Sequence, residues 1–564
     1  MTDRMETSSS STSRATLAWG ALAALFTCVW FAQLGMRSLI TADEGRYATI
    51  SLNMLQSGDW VTPRLNGLLY FEKPALQYWI GALAFQVFGV SEFSARLWPG
   101  LAGFLTVAAV GFTAARLWGR DAGIRAFAIA GSMIWIVSNA RFLSLDAGLT
   151  FFLTLALCAV LLAEGNPEAS AAARRRWIWL AWAAMAGAVL SKGLIGVAIP
   201  GGALFLFCLW RRDFRLWRGM HWFSGLLIFF ALTAPWFVLV SLRNPGFAEF
   251  FFIHEHFARY LTTSHRREGD WWYYIPWLLL GMLPWTLALP WLFRAPRSAE
   301  GARTIEAHRL LVVWSVFIFV FFSYSGSKLP SYILPIFPAL ALLTTLRLRE
   351  ARPAALGWFL LAPALLWALA LAASTQTDRL AMPNTPAEML DPIIHAVRWG
   401  ALIFLAGALS SLCALHKKRV TAAIVSLAFG HFLATILLIQ SYDHYGQLRS
   451  ADNIARALTP LIGPETPVFS VDAYDQTLPF YLRRNVTLVV YEDEFAFGQA
   501  QEPERWVHSL DDFVKQWNAL PQAAAYLSPS IWTALSQRGL PMHIVYQDPR
   551  RLVVVKDESS RHPE

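Results

Sequence analysis

Charged residues are scarce in this chain, and cysteine is scarcer still. Asp, Glu, Lys and Arg make up 15% of the 564 residues, whereas 56% are hydrophobic. Soluble domains carry about 25% charged residues, so the composition excludes a soluble globular protein and predicts a polytopic α-helical membrane protein. The four cysteines (Cys28, Cys158, Cys208 and Cys413) lie in apolar runs at unrelated spacings. We interpret them as packing residues, neither disulfide partners nor metal ligands.

The apolar runs predict a membrane domain over residues 15–440. Residues 1–14 are polar and rich in Ser and Thr, which is typical of a disordered tail. Residues 75–90 are too few to span a bilayer and include Gln77 and Gln86, so we expect a helix at the interface there. The remaining runs predict about 13 transmembrane helices, near 15–34, 94–116, 122–138, 147–163, 177–190, 194–210, 221–241, 273–293, 310–325, 332–346, 355–373, 396–415 and 420–440.

Basic residues predict the orientation of these helices. The net charge of +9 comes mainly from arginines in short loops, and this count of helices places six such loops on one side. By the positive-inside rule that side is cytoplasmic, together with the tail 1–14. The pattern indicates topology control and no nucleic-acid partner. The six loops contain Arg116, Arg120 and Arg125; Arg174, Arg175 and Arg176; Arg211, Arg212, Arg215 and Arg218; Arg294, Arg297, Arg303 and Arg309; Arg347, Arg349 and Arg352; and Lys417, Lys418 and Arg419.

From residue 441 onward the pattern changes to that of a soluble α/β domain, residues 441–564, on the opposite, periplasmic side. Short apolar strand-like runs alternate with helical patterns, and no phosphate-binding glycine pattern is present. We expect this domain to cover the outer face of the membrane domain. The predicted strands are Pro467–Val471, Val486–Tyr491, Ala523–Leu527, Met542–Tyr546 and Arg551–Lys556, and the predicted helices are Leu510–Asn518 and Ser530–Arg538.

Several residues on the same outer side have side chains suited to binding an anion, transferring a proton or holding a metal. Lys73, Lys192 and Arg259 suit a lipid phosphate at the headgroup level. Asp43 and Asp146 suit orienting sugar hydroxyl or amino groups, or accepting a proton. The alternative for each residue alone is a solvated, topological or snorkelling role. Imidazole and carboxylate also suit a divalent metal such as zinc, for which the candidate ligands are Glu72, His254 and His256.

A transporter or flippase is the alternative outside the enzymes. That class predicts charged residues near mid-membrane and often a repeat between the two halves. The charges here gather instead at the ends of the spans on one side. The pattern therefore favours an enzyme that acts at the outer membrane surface.

Six segments resemble the bacterial lipid A aminoarabinose transferases, within the protein O-mannosyltransferase-like C-type glycosyltransferases. They are DEGRYA at 43–48, FEKP at 71–74, SLDAGL at 144–149, SKG at 191–193, HEHFARYLT at 254–262 and KLPSYILPIFP at 328–338. The resemblance implies the C-type glycosyltransferase fold with interface helices after the first span. It implies a polyprenyl-phosphate sugar donor, namely undecaprenyl phosphate carrying 4-amino-4-deoxy-L-arabinose. The implied acceptor is a lipid A phosphate at the periplasmic face of the bacterial inner membrane, among membrane lipids.

The resemblance also implies roles for individual residues. Asp43 is the principal acid, with Asp146 as a second one, and Lys73 and Arg259 form a clamp for the donor phosphate. We expect no required cofactor beyond the possible zinc. A related transferase that glycosylates protein, glycan or lipopolysaccharide core would fit the same residues. The remaining substrate-binding candidates are Glu44, Arg46, Tyr47, Tyr70, Glu72, Lys192, Tyr260 and Tyr332.

Overall fold

The computed structural model describes residues 19–165, 169–258, 269–294, 302–350, 356–376 and 390–556. Within these residues, seven helices are long and apolar enough to cross a membrane, or eight if the pair Tyr274–Gly281 and Thr286–Leu292, bent by 112°, counts as one span. Four further apolar helices are shorter. The chain is therefore a multi-pass membrane protein, while the exact number of spans stays a prediction.

A helix lies at each of the predicted spans. The span predicted at 122–138 is broken, because Met133 has an extended backbone (φ −64°, ψ 123°) between two helices. The helices are Trp19–Ala32, Glu92–Trp118, Arg120–Ser132 with Ile134–Asn139, Leu145–Gly165, Ala171–Lys192, Ile195–Arg211, Trp222–Arg243, Tyr274–Gly281 with Leu289–Leu292, Ala302–Tyr324, the 3₁₀ turn Pro330–Ile336 with Phe337–Glu350, the 3₁₀ turn Gly357–Leu360 with Leu361–Ala373, Asp391–His416 and Val420–Ser441.

Two helices follow the first span without qualifying as spans, Asp43–Ser57 and Leu76–Phe88. The second confirms the helix predicted at 75–90, and its 13 residues fall well short of the roughly 20 that cross a bilayer. Between the two helices, strands β1 (Arg64–Leu65) and β2 (Leu68–Leu69) form a hairpin. The turn uses Asn66 and Gly67 at positive φ, the conformation that the Asn-Gly pair adopts most readily.

The C-terminal region forms a five-stranded sheet with helices Leu510–Ala519 and Pro529–Ser536. The strands are β3 (Val468–Val471), β4 (Thr487–Val489), β5 (Ala523–Leu527), β6 (His543–Gln547) and β7 (Leu552–Lys556). Their order in the sheet is β4-β3-β5-β7-β6; β3, β4 and β5 are parallel, and β7 runs antiparallel to β5 and β6. The predicted strands and helices are therefore confirmed within a residue or two.

Successive side chains of β7 pack into two different hydrophobic cores, so both faces of this sheet are buried. Val553 and Val555 belong to a core shared with the helices Asp43–Ser57 and Leu76–Phe88. Val554 faces the other way, into a core with Phe513 and Trp517. Because successive strand residues point to opposite faces, one face of the sheet packs on the membrane domain and the other on its own helices.

The C-terminal domain contacts the helix Asp43–Ser57 at very short range. A Cβ on Gly45 would lie 2.5 Å from backbone atoms of Gln476 and Thr477, so only glycine fits there. The Thr49 hydroxyl donates to the Gln476 carbonyl (3.1 Å), and the Tyr481 hydroxyl accepts from the Leu39 amide (2.7 Å). The start of this helix is therefore held between the membrane domain and the C-terminal domain.

A buried junction, defined by Glu44, Arg96 and the carbonyls of residues 34, 37 and 38, lies on the membrane side of this helix. Arg96 donates to both Glu44 carboxylate oxygens, at 2.7 and 2.9 Å. It also donates to the three carbonyls at 3.1, 2.6 and 2.8 Å. Glu44 accepts in addition from the amides of Leu143 and Ile40. The junction thus connects the first two spans, the helix Asp43–Ser57 and the segment before Asp146.

Candidate active site

A polar cavity of about 270 Å³ lies where the membrane domain meets the C-terminal domain. All six of the segments quoted above contribute lining residues to it, together with the C-terminal domain. This arrangement agrees with the prediction that those segments share one side of the membrane. The lining residues are Asp43, Arg46, Tyr47, Glu72, Lys73, Leu145, Asp146, Lys192, Phe250, His254, Glu255, Leu329, Tyr332, Asp493, Glu494, Ala496 and Phe497.

Helix ends and short turns supply most of these side chains. Asp43 and Asp146 lie in the first turns of their helices, where the helix dipole favours a carboxylate. Lys192 ends its helix, where the dipole favours a cation. The segment of Lys73 follows the hairpin, which Asn66 fixes by exchanging two hydrogen bonds with the backbone of Val486, at 2.7 and 2.8 Å.

Each of the two lysines that line the cavity is paired with a carboxylate. Lys73 Nζ lies 2.9 Å from Glu255 Oε2 and 3.8 Å from a Glu72 oxygen. Lys192 Nζ donates to Asp146 and lies 4.5 Å from the centre of the Tyr332 ring. Each pair compensates the charge of its lysine in a partly buried site.

A second group of charges links the cavity to the C-terminal domain. Arg46 Nη1 donates to Asp43 at 2.7 Å, and Arg46 Nε donates to Glu494. Gln476 donates to the other Glu494 oxygen at 2.8 Å and accepts from the Thr41 hydroxyl. Burial raises the pKa of Glu494, and the neighbouring Arg46 counteracts part of that rise. Asp43 is the open end of this chain, with 49% of its side chain exposed.

Nine predicted site residues line the cavity, and two lie elsewhere. Glu44 belongs to the buried junction and does not line the cavity, so its binding of substrate stays a prediction. Consecutive helix residues point about 100° apart, and Asp43 rather than Glu44 faces the cavity. Tyr70 is buried and does not line the cavity. The nine that line it are Asp43, Arg46, Tyr47, Glu72, Lys73, Asp146, Lys192, His254 and Tyr332.

Three predicted residues fall outside what the structure describes: Arg259, Tyr260 and the side chain of His256. Of the two residues of the predicted donor clamp, the structure therefore describes only Lys73. Among the described residues, no three His, Cys, Asp or Glu side chains converge as a metal site. Glu72 and His254 do line the same cavity, so the zinc site stays a prediction.

Sequence reasoning missed Glu255 and the whole contribution of the C-terminal domain. Glu255 lies inside the quoted segment HEHFARYLT, between the two histidines. Asp493, Glu494 and Phe497 come from the run YEDEFAF, whose only signal is acidic residues among aromatic ones. Contacts between residues more than 400 positions apart leave no local pattern in the sequence.

Two further cavities lie along the helices Ile195–Arg211 and Ala302–Tyr324. The upper one, of about 130 Å³, shares Lys73 and Lys192 with the polar cavity, together with Glu72, Glu255 and Tyr332, and adds apolar residues such as Leu149, Ile195, Phe321 and Phe322. The lower one, of about 330 Å³, is apolar and shares no lining residue with the upper one. We call the upper and lower cavities together the first groove. Leu206, Trp210, Val312, Val313, Val316, Phe317 and Val320 line the lower cavity.

Two family models match this chain. Residues 16–251 match dolichyl-phosphate-mannose-protein mannosyltransferase, and residues 454–556 match the aminoarabinose transferase C-terminal domain. Curated relatives are described as undecaprenyl phosphate-alpha-4-amino-4-deoxy-L-arabinose arabinosyl transferases. The one from Pseudomonas aeruginosa is 34% identical over 518 residues, 88% of this chain and 90% of the relative. The one from Edwardsiella ictaluri is 33% identical over 328 residues, 58% of each chain.

Two crystal structures of ArnT from Cupriavidus metallidurans are similar to this chain. The structure bound to undecaprenyl phosphate has a TM-score of 0.91 and 36% identity, and the match covers 97% of this chain and 99% of that one. The structure in the apo state has a TM-score of 0.90 and 36% identity, covering 98% and 100%. The similarity therefore extends over both the membrane domain and the C-terminal domain.

Proposed function

Because this chain belongs to the undecaprenyl phosphate-alpha-4-amino-4-deoxy-L-arabinose arabinosyl transferases, we propose that it carries out that transfer. It is a glycosyltransferase that takes 4-amino-4-deoxy-L-arabinose from undecaprenyl phosphate. The acceptor that we propose is a phosphate group of lipid A. The cavity and C-terminal domain then face the periplasm, and the membrane is the bacterial inner membrane.

The observation that carries the proposal is the position of two lysines. Lys73 and Lys192 line both the polar cavity and the top of the first groove. A polyprenyl phosphate has its anion at one end of an apolar chain, so the two lysines suit the phosphate and the first groove suits the chain. Arg259 would complete the clamp, as the sequence predicts.

The proposed mechanism follows from where negative charge develops during the sugar transfer. The bond between the sugar carbon and the donor phosphate oxygen breaks, and its electron pair stays on the donor phosphate. Lys73 and Lys192 stabilise this added negative charge, which is the kind of interaction that lowers a transfer barrier most. Their resting partners, Glu255 and Asp146, compensate the lysine charges before the donor binds.

The acceptor forms the new bond with a lone pair on its own phosphate oxygen. A phosphate is already anionic, so this step needs little help from a general base. Of the two carboxylates that pair with Arg46, Asp43 is the more exposed one, and it lies at the cavity surface. We propose that Asp43 orients the sugar and the acceptor, and it would serve as the base if the acceptor were a hydroxyl group.

We propose zinc as an optional ligand of the cavity. Glu72 and His254 both line it, and together with His256 they offer carboxylate and imidazole donors that zinc accepts. A bound zinc would supply positive charge near the phosphates. The metal content of purified protein, compared with His254→Ala, tests this proposal, and equal zinc contents in the two would contradict it.

Mass spectrometry of lipid A tests the proposed function. Lipid A from cells that make the donor should gain the mass of one aminopentose per modified phosphate when this protein is present. The mass should be unchanged in cells that carry Lys73→Ala. Unmodified lipid A in cells that make both the donor and the intact protein would contradict the proposed acceptor.

A further inference from the structure

The two ends of the polar cavity differ in charge. One end is shared with the upper cavity of the first groove and holds both lysines, Lys73 and Lys192. The lining residues that the groove does not share form the other end, which we call the far end. Its acidic and basic side chains are Asp43, Arg46, Asp146, His254, Asp493 and Glu494. Two of them are engaged with the first end, because Asp146 pairs with Lys192 and His254 lies 3.8 Å from Glu255.

Carboxylates outnumber cations among the remaining side chains of the far end. Arg46 Nη1 donates to Asp43 at 2.7 Å, and Arg46 Nε donates to Glu494. Asp493 takes part in neither bond. Three carboxylates therefore share the positive charge of one guanidinium, and this excess of negative charge suits a cationic group on a ligand.

Asp493 is the carboxylate of the far end that a ligand can reach without displacing a cation. It is exposed and lines the cavity. Among the described residues its side-chain partner is the Tyr491 hydroxyl, which donates to Asp493 Oδ2 at 3.4 Å. That hydrogen bond is long, and a carboxylate can accept several donors. Asp493 therefore keeps its capacity to bind a donor that carries a positive charge.

Two buried hydroxyl groups near the far end have no hydrogen-bond partner among the described residues. They belong to Tyr70 and Tyr474, which are 2% and 9% exposed. Burial raises the pKa of both phenols, and the negative charge of Glu494 contributes to the rise, so both rings lie near this carboxylate. Because an unpaired buried hydroxyl is costly, this part of the protein suits a polar occupant.

The sugar of the proposed donor carries its positive charge on the side away from the phosphate. The phosphate is attached to carbon 1, and the amino group on carbon 4 lies across the six-membered ring. An alkyl amine of this kind is protonated near neutral pH. With the phosphate at Lys73 and Lys192, the ammonium group points to the far end. Resting on the function proposed above, we propose that Asp493 of the C-terminal domain binds this ammonium group and thereby selects an amino sugar over a neutral one.

Two donors that differ only at carbon 4 test this proposal, one with the amino group and one with a hydroxyl group in its place. Each full-length variant is purified, and kcat/KM is measured for both donors. We expect Asp493→Asn to lower kcat/KM for the amino donor about tenfold and to leave the hydroxyl donor within about twofold, because the lost hydrogen bond is to a charged group. Asparagine suits this position, where φ is 38°. Glu492→Gln is the matched control and should change neither value, since Glu492 is exposed and does not line the cavity.

The Kd of each donor provides the second readout and gives the same comparison if transfer from the hydroxyl donor is too slow to follow. Asp493→Gly replaces Asp493→Asn if the latter does not fold, because glycine adopts positive φ freely. An equal loss with both donors would show that Asp493 only supports the shape of the cavity, and it would overturn the proposal. An unchanged preference for the amino donor would overturn it too. No transfer from the amino donor by the wild-type protein would overturn the proposed function, and this proposal with it.

Discussion

Asp43 and Glu44 are neighbours in the sequence, yet their side chains lie in two regions that differ in solvent exposure and in hydrogen bonding. Asp43 faces the polar cavity and its side chain is 49% exposed, whereas Glu44 lies in the buried junction and is 3% exposed. Every carboxylate oxygen of Glu44 has two donors. The two cavity lysines are 14% and 17% exposed and line the cavity, where a ligand can replace their carboxylate partners. Burial and complete hydrogen bonding therefore separate charges that hold the fold from charges that are available for chemistry.

The largest effect is expected for Glu44→Ala. This change leaves Arg96 buried without its counter-charge, which costs about 3–5 kcal/mol when one partner of a buried pair is removed. Thermal unfolding of the detergent-solubilised protein should show a lower midpoint, with activity lost in proportion to the unfolded fraction. An unchanged midpoint would contradict the structural role of the junction.

The pH dependence of stability refines this prediction. Burial acts to raise the pKa of Glu44, but Arg96 outweighs it, so the pKa lies below its ordinary value of 4.5. The stabilisation is therefore complete above that value and is lost as the pH falls through the lowered pKa. In Glu44→Gln the unfolding midpoint should fall less steeply as the pH is lowered. An equally steep fall would mean that other groups cause the loss of stability in acid.

Lys73→Ala should have the next largest effect, and mainly on rate. Removing one charge that stabilises a developing anion costs about 100- to 1,000-fold in rate. Transfer from the lipid-linked donor measures this loss. The unfolding midpoint should fall less than in Glu44→Ala, because Glu255 keeps His254 as a neighbour, 3.8 Å away. Lys515→Ala, at an exposed lysine of the C-terminal domain, is the control. Transfer by Lys73→Ala at the full rate would exclude Lys73 from the phosphate site.

Gly45→Ala tests the contact between the C-terminal domain and the helix that carries Asp43. The added Cβ would lie 2.5 Å from the backbone of Gln476 and Thr477, and overpacking of this kind costs about 1–3 kcal/mol. We expect a lower unfolding midpoint and a lower transfer rate. Gly201→Ala is the matched control, because a Cβ at this helical position meets nothing within 4 Å. Equal behaviour of the two variants would argue against a tight contact at Gly45.

The smallest effect is expected for Arg538→Ala. This residue pairs with Asp511 at the surface of the C-terminal domain, where the side chains are 46% and 77% exposed. Exposed pairs contribute little because water and salt screen them. The transfer rate and the unfolding midpoint should both stay within error. A clear loss of activity would show that this remote surface takes part in function.

Local patterns in the sequence predicted most of the fold, because spans and strands follow from hydrophobic periodicity. Ala523–Leu527 was predicted and found with the same bounds. The break at Met133 was not predicted, since no proline marks it and the nearby Gly131 lies within an uninterrupted apolar run. Matching motifs located Lys73, Asp146 and Lys192 and gave Asp43 as the principal acid, but they also placed Glu44 among the substrate-binding residues. Only the packing of Arg96 shows that Glu44 is buried away from the cavity, and only docking of the distant C-terminal domain adds Glu494.

The most direct test is the thermal shift that undecaprenyl phosphate produces. A ligand that binds the folded protein raises its unfolding midpoint, by an amount that grows with the logarithm of its concentration relative to Kd. The unchanged protein should show a clear shift, and Lys73→Ala should show little or none relative to its own ligand-free midpoint. A ligand-free midpoint of Lys73→Ala as low as that of Glu44→Ala would place Lys73 among the charges that hold the fold. A full shift in Lys73→Ala would contradict the assignment of the cavity lysines to the donor phosphate.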